Sequence, residues 1–193
     1  MHHVTLAVIA PVIAPVIALV MALPARAEWP YPAALAQGIG ADVIFLRHAL
    51  APGTGDPSGF RLRDCATQRN LSEDGRAQAR AIGQALRDSG LQITGVMTSE
   101  WCRARDTAAL LDLGEVVEEP GLNSFFGNPD ARQPTLDRLN ARLADLPEGA
   151  EAGLTVMVTH QVVITAITGR TVASGGAVLF DIDSGAAVDL PLP

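Results

Sequence analysis

The stretch Val43-Ile44-Phe45-Leu46-Arg47-His48 decides how the chain is read. Four strand-forming apolar residues in an unbroken run fit a strand buried on both faces of a parallel sheet. The run stops abruptly on a cation and an imidazole. Far along the chain, Thr155-Val156-Met157-Val158-Thr159-His160 repeats the design, a buried strand closed by a histidine. In open α/β sheets ligands bind outside the carboxyl ends of the strands. Arg47, at the end of a buried strand, must also find an anion. That anion is either a buried carboxylate or a bound phosphate.

Working outward, Ser72 before Glu73 and Asp74 supplies an N-cap with first-turn acids, and Ala81/Ala85 and Ile82/Leu86 keep helical spacing up to Gly90. Residues 93–98 read as a strand, 100–111 as a helix and 115–117 as a short strand. Leu136, Leu139, Leu143 and Leu146 line one face of a helix over 136–146. A helix over 161–168 and strands over 177–182 and 186–190 complete the pattern. This alternation predicts an α/β three-layer sandwich with a mostly parallel central sheet. Two long loops, 51–69 and 118–135, carry glycine and proline, and loops of that length are usually functional. Phe125-Phe126 in the second either lines an entrance or caps the core.

The 193 residues suit one domain large enough to fold on its own core. All 14 basic residues are arginine, and 21 acids give a net charge of −7. That balance disfavours nucleic-acid binding. The lack of lysine excludes Schiff-base chemistry. Val4 to Leu23 is almost wholly apolar and is followed by Ala25-Arg26-Ala27. Residues 1–27 therefore read as a secretory signal peptide, 28–40 as a lead-in segment and 41–193 as the domain. The expected location is the periplasm or the exterior, with no stable membrane span after cleavage. The competing reading is a retained N-terminal anchor facing the periplasm, since ~20 apolar residues can span a bilayer, although Pro11 and Pro15 interrupt the run.

Beyond that leader, His48 and His160 are the only histidines. Cys65 and Cys102, an even count in an oxidising compartment, favour a disulfide. The four side chains do not have the spacing of a zinc site, and no metal or other cofactor is expected. Arg103 enters the same rim from a helix start, where the helix amino terminus adds its own pull on anions. Arg61, Arg63 and Arg69 either extend an anion clamp or offset neighbouring acids. Arg105 reads as a solvated residue paired with an acid.

Together the segments resemble the histidine phosphatase superfamily, the group that includes cofactor-dependent phosphoglycerate mutases and many phosphatases. Leu46-Arg47-His48-Ala49 is similar to its R-H-G signature, with alanine for glycine. Residues 70–79, Asn70-Leu71-Ser72 through Gln78-Ala79, resemble its L-[ST]-x-x-G-x-x-Q-A helix start. Ser99 to Ala108 resembles its S-x-x-x-R-A-x-x-T-A block, and Val158-Thr159-His160 its late strand. The resemblance implies a phosphoglycerate mutase-like fold and a phosphohistidine mechanism. His48 would attack phosphorus, while Arg47, Arg103 and His160 hold the phosphate oxygens.

Two departures bear on the leaving group. Ser124 stands where the mutase-like branch has a glutamate, and Gln161 where the acid-phosphatase-like branch has an aspartate. The general acid is therefore unassigned, with Asp56 and Asp130 as candidates. The alternative is that none exists, as in the superfamily's phosphohistidine phosphatases, which favours substrates with good leaving groups. Gln161 is a candidate donor to a phosphate oxygen or leaving group. The function expected is that of an exported phosphatase acting on a small phosphorylated substrate or envelope component. The alternative is a non-catalytic module that binds phosphate or another anionic ligand, and a mutase ranks third.

Overall fold

A computed structural model describes residues 1–2, 32–147 and 153–192. Apart from Met1 and His2, the leader reading falls outside the described residues, as do 28–31. Among the described residues, no helix is long and apolar enough to cross a membrane.

Six strands form one sheet: β1 (Val43–Arg47), β2 (Ile93–Thr98), β3 (Val116–Glu118), β4 (Leu154–Thr159), β5 (Ala177–Phe180) and β6 (Ala187–Leu190). Their order is β3-β2-β4-β1-β5-β6. The first four strands run parallel, and β5 and β6 add an antiparallel edge. Val43, Ile44, Phe45 and Leu46 are wholly buried, because β1 lies inside the sheet with layers on both faces. Ile44 and Leu46 pack with Ile82, Leu86, Ala104, Ala108 and Leu111. These side chains come from α2 (Glu73–Asp88) and α3 (Cys102–Leu111). Val43 and Phe45 face the opposite way, onto Leu136, Leu139, Leu143, Val163 and Ile164. Those belong to α4 (Arg132–Ala144) and α5 (Gln161–Thr168). Period-two alternation along one strand thus feeds two cores, and the result is the expected three-layer sandwich.

The lead-in reading needs correction. Residues 32–39 form a helix, α1 (Pro32–Ile39), and Ala36 joins the core that contains Ile44. Pro32 at the first helical position costs no hydrogen bond, and the alanines and leucine after it are strong helix formers. Helix α4 also begins four residues before its leucine stripe. Pro134 lies within its first turn, where a missing N–H is tolerated.

Two contacts set the strand ends in place. Leu50, just past β1, has its carbonyl met by the N–H of Ser72 at 3.1 Å. A Cβ on Gly75 would lie 2.0 Å from that oxygen, so only glycine lets α2 approach so closely. Gln78 completes the clasp: its Oε1 accepts from the Leu50 N–H at 2.9 Å and its Nε2 donates to the Ser174 carbonyl at 2.9 Å.

Candidate active site

The parallel pairing of β1 and β4 sets Arg47 opposite Thr159, and the next residue on each strand is a histidine. The His48 and His160 rings lie with centroids 5.3 Å apart, and both are buried. They share a pocket of about 280 Å³ with Arg47, Asp56, Arg69 and Arg103. Three guanidinium groups and two imidazoles thus face a single lining carboxylate. In a chain of net charge −7 this is a local reversal of sign, suited to a multiply charged anion.

His48 Nδ1 lies 2.8 Å from the carbonyl of its neighbour Ala49. A carbonyl only accepts, so Nδ1 carries the proton and Nε2 keeps its lone pair. The Arg103 Nε–H points at that lone pair from 3.3 Å. Burial drives the His48 pKa down to about 3; the Ala49 hydrogen bond opposes it, and the charges of Arg103, Arg69 and Arg47 add to the lowering. The imidazole therefore stays neutral at any ordinary pH. The backbone here is fixed by the Ala49 N–H, which donates to Thr107 Oγ1 at 3.0 Å. Alanine in place of glycine is accommodated with its methyl fully buried.

His160 caps α5. Ser99 Oγ lies 2.7 Å from His160 Nε2 and accepts the Trp101 N–H at 3.2 Å. A hydroxyl can donate once and accept twice, so Ser99 holds the orientation of the His160 ring with either tautomer. Burial, then the neighbouring His48 ring and the arginine charges, holds the His160 pKa well below its ordinary value. Trp101 stands edge-on to the ring at 5.4 Å.

Arg103 is buried and pairs with Asp56 at 2.8 Å. Asp56 Oδ1 also accepts the Arg69 N–H at 3.1 Å, and Oδ2 accepts the Trp101 indole N–H at 3.0 Å. Burial alone would raise its pKa, but the Arg103 hydrogen bond and charge, with the Arg69 and Trp101 donors, outweigh it and lower the pKa. Asp56 is thus an ionised tether with both oxygens engaged. That is the wrong state for a general acid, which needs a proton near neutral pH. Asp130, the other candidate, is exposed in a short 3-10 helix (Pro129–Ala131) outside the pocket lining. The position of the mutase-like acid does reach the pocket wall, but it holds Ser124, whose hydroxyl accepts the Phe126 N–H at 3.2 Å.

Gln161 lines the pocket, yet its side chain is engaged elsewhere. Its Nε2 donates to Thr165 Oγ1 at 2.8 Å and to the Arg170 carbonyl at 3.2 Å, and its Oε1 accepts the Val172 N–H at 3.0 Å. Both amide hydrogens are committed, so Gln161 holds the start of α5 to the following loop. Of the loop arginines only Arg69 reaches the pocket, with its Nε on the Gly55 carbonyl at 2.8 Å and its Nη1 on the Ala51 carbonyl. Arg61 pairs with Asp64 at 2.5 Å, and Arg63 approaches Glu100 at 3.6 Å. Arg105 pairs with Glu118 at 3.0 Å, as expected of a surface residue. Ser99 and Trp101 gave no separate signal in the sequence beyond the block that contains them. The aromatic pair divides: Phe125 caps the core and Phe126 lines the pocket.

Cys65 and Cys102 form a disulfide that joins the long loop to the residue before Arg103. Gln68 reinforces the joint, accepting the Cys102 N–H at 3.0 Å. Among the described residues, no group of three or more His, Cys, Asp or Glu side chains is arranged to hold a metal ion.

An α/β sandwich with paired imidazoles and a guanidinium cluster at its strand ends defines an anion-binding pocket of enzyme-like geometry. Residues 43–131, which carry His48 and Arg103, match the model of the histidine phosphatase superfamily (branch 1). That stretch is thus similar to the family whose motifs it resembles, and His160 lies beyond it. Solved structures with the phosphoglycerate mutase-like fold superpose on the chain. A protein of Escherichia coli K-12 designated alpha-ribazole-5'-P phosphatase aligns with TM-score 0.55 and 19% identity over 78% of this chain and 94% of that one. A Nakamurella multipartitia protein designated phosphohistidine phosphatase SixA gives 0.54 and 22% over 80% and 96%. A mycobacterial glucosyl-3-phosphoglycerate phosphatase in complex with VO3 gives 0.53 and 17% over 73% and 92%. No curated protein matches the sequence significantly.

Proposed function

We propose that the chain is an exported phosphatase that hydrolyses a small phosphorylated substrate or envelope component through a phosphohistidine on His48. The observation that carries this reading is the His48 tautomer. Nδ1–H is anchored on the Ala49 carbonyl, and Nε2 presents a lone pair to a pocket that also contains Arg47, Arg103 and His160. The Nε2 pair forms the N–P bond as the bond from phosphorus to the leaving group breaks, and that pair departs with the leaving group. The ring, still protonated at Nδ1, carries the phosphoryl group as a phosphoimidazolium. Water then adds to phosphorus, the N–P pair returns to Nε2, and dihydrogen phosphate is released.

Arg47, Arg103 and His160 hold the equatorial oxygens in this scheme, and Arg69 adds a third guanidinium beside them. Stabilising that spread charge is the main task in phosphoryl transfer. With Asp56 tethered and a hydroxyl at Ser124, the described lining residues include no free carboxylic acid to protonate the departing atom, which favours substrates with good leaving groups. Export is supported by the apolar leader with its Ala25-Arg26-Ala27 pattern. The Cys65–Cys102 bridge agrees with an oxidising compartment.

The test is hydrolysis of 4-nitrophenyl phosphate by the purified protein and by His48→Ala. Loss of turnover in the variant is expected. Undiminished turnover removes His48 as nucleophile. Phosphate binding with no turnover in either protein supports the binding-module reading instead.

A further inference from the structure

We infer that the pocket takes a phosphoryl group carried on a flat, uncharged ring, and that Phe126 is the residue that selects it. This rests on the phosphatase reading above and narrows its substrate class.

The pocket is divided by chemistry. Among the described residues that line it, the ionisable side chains are those of Arg47, His48, Asp56, Arg69, Arg103 and His160, the set assigned above to the phosphate. The rest of the wall is neutral: Gly53, Thr54, Gly55, Ser124, Phe126 and Val162, together with the engaged amide of Gln161. A substrate whose second half carried a carboxylate or an ammonium group would find no opposite charge among these described neutral residues. Phe126 is 59% exposed there. One edge of its ring lies near Gly55, where even an added Cβ would stand 3.7 Å away, and its backbone N–H is fixed on Ser124 Oγ at 3.2 Å. A ring held in this way at a pocket mouth offers a stacking surface for another ring.

The leaving-group chemistry points the same way. With Asp56 ionised and engaged, the departing atom leaves without an added proton, and a positioned acid is ordinarily worth about 10²–10⁴-fold. An alkyl alcohol leaves poorly under those terms. A phenol-type oxygen leaves as a resonance-stabilised anion, and the ring nitrogen of a neutral phosphoimidazole leaves as neutral imidazole when its other nitrogen takes a proton from water. In both, the P–O or P–N pair goes to the ring while His48 Nε2 forms the new N–P bond. Phenol-borne and imidazole-borne phosphoryl groups share this chemistry.

The experiment measures kcat/KM for phenyl phosphate, phosphoimidazole, acetyl phosphate and glycerol 1-phosphate with wild type, Phe126→Ala and Phe126→Trp. Acetyl phosphate has a good leaving group without a ring, so it separates stacking from leaving-group strength. Phe126→Ala is expected to lose about tenfold on its preferred ring substrate, mostly in KM, and at least fivefold more than on acetyl phosphate. Phe126→Trp should restore it. Whichever ring substrate is faster in wild type identifies the phenol-borne or imidazole-borne source. Equal losses on ring and acetyl substrates, or no loss on either, overturn the assignment of Phe126. Wild-type turnover of acetyl and glycerol phosphates but of neither ring substrate overturns the substrate class and leaves the phosphatase reading standing. Turnover of none of the four ends both.

Discussion

Asp56 and Arg103 are joined by a 2.8 Å ion pair in which both side chains are buried, and this pair bridges the long loop to the helix start beside His48. Because Asp56 also receives the Arg69 N–H and the Trp101 indole, it fixes three elements of the pocket at once. A carboxylate with these partners positions a guanidinium and has no proton to donate.

Asp56→Ala is expected to leave Arg103 as an unpaired buried charge, destabilising the fold by about 3–5 kcal/mol. Urea unfolding measures this. In protein that remains folded, kcat/KM should fall to a similar extent for aryl and alkyl phosphates. A loss confined to alkyl phosphates is the signature of a general acid and would overturn the positioning role.

Acid should weaken the fold through the buried histidines. The His48 pKa is about 3 in the folded chain and ~6.5 when unfolded. The unfolded state therefore binds the extra proton between those values. This contribution is complete above pH ~6.5 and is lost as pH falls toward 3, by at most roughly 1.4 kcal/mol per pH unit for this one group. Unfolding free energies at pH 7 and 5 in phosphate-free buffer should show the decline, with a shallower slope in His48→Gln. Equal slopes contradict the depressed pKa.

Reduction of Cys65–Cys102 opens a loop that the bridge closes across a sequence separation of 37. Loop entropy puts the loss at about 3–4 kcal/mol. Since the loop carries Asp56 and Arg69, phosphate affinity should fall as well. Calorimetric titration with inorganic phosphate, with and without reductant, tests the link. Unchanged affinity in reduced, folded protein breaks it.

Ser99→Ala removes the 2.7 Å partner of His160 Nε2 and frees the ring to turn. A stability loss of about 1–3 kcal/mol is expected, together with about a tenfold drop in kcat/KM that Ser99→Thr partly restores. A loss of stability without a kinetic effect reduces Ser99 to a packing role.

The strands of the sheet and the two histidines were legible because a buried apolar run that stops on an ionisable residue is a local pattern. The four motif blocks then ordered them. Helix α1 was not legible, since a segment of alanine, glycine and proline looks like a linker until Ala36 is seen in the core. Arg69 could not be told from Arg61 and Arg63, because an aperiodic loop does not encode which side chain turns inward. Asp56 was read only as a possible acid. Its actual state depends on Arg103, Arg69 and Trp101, which meet only in the folded chain. The partners of the Gln161 amide, 4 to 11 residues further on, are likewise seen only in the folded chain.

The most direct measurement is the intact mass of the protein after brief incubation with an activated phosphate donor and quenching without acid, comparing wild type with His48→Ala. The expected result is one added phosphoryl group in wild type, chased by time, and none in the variant. An equal adduct on both proteins, or steady hydrolysis by His48→Ala, would contradict covalent transfer through His48.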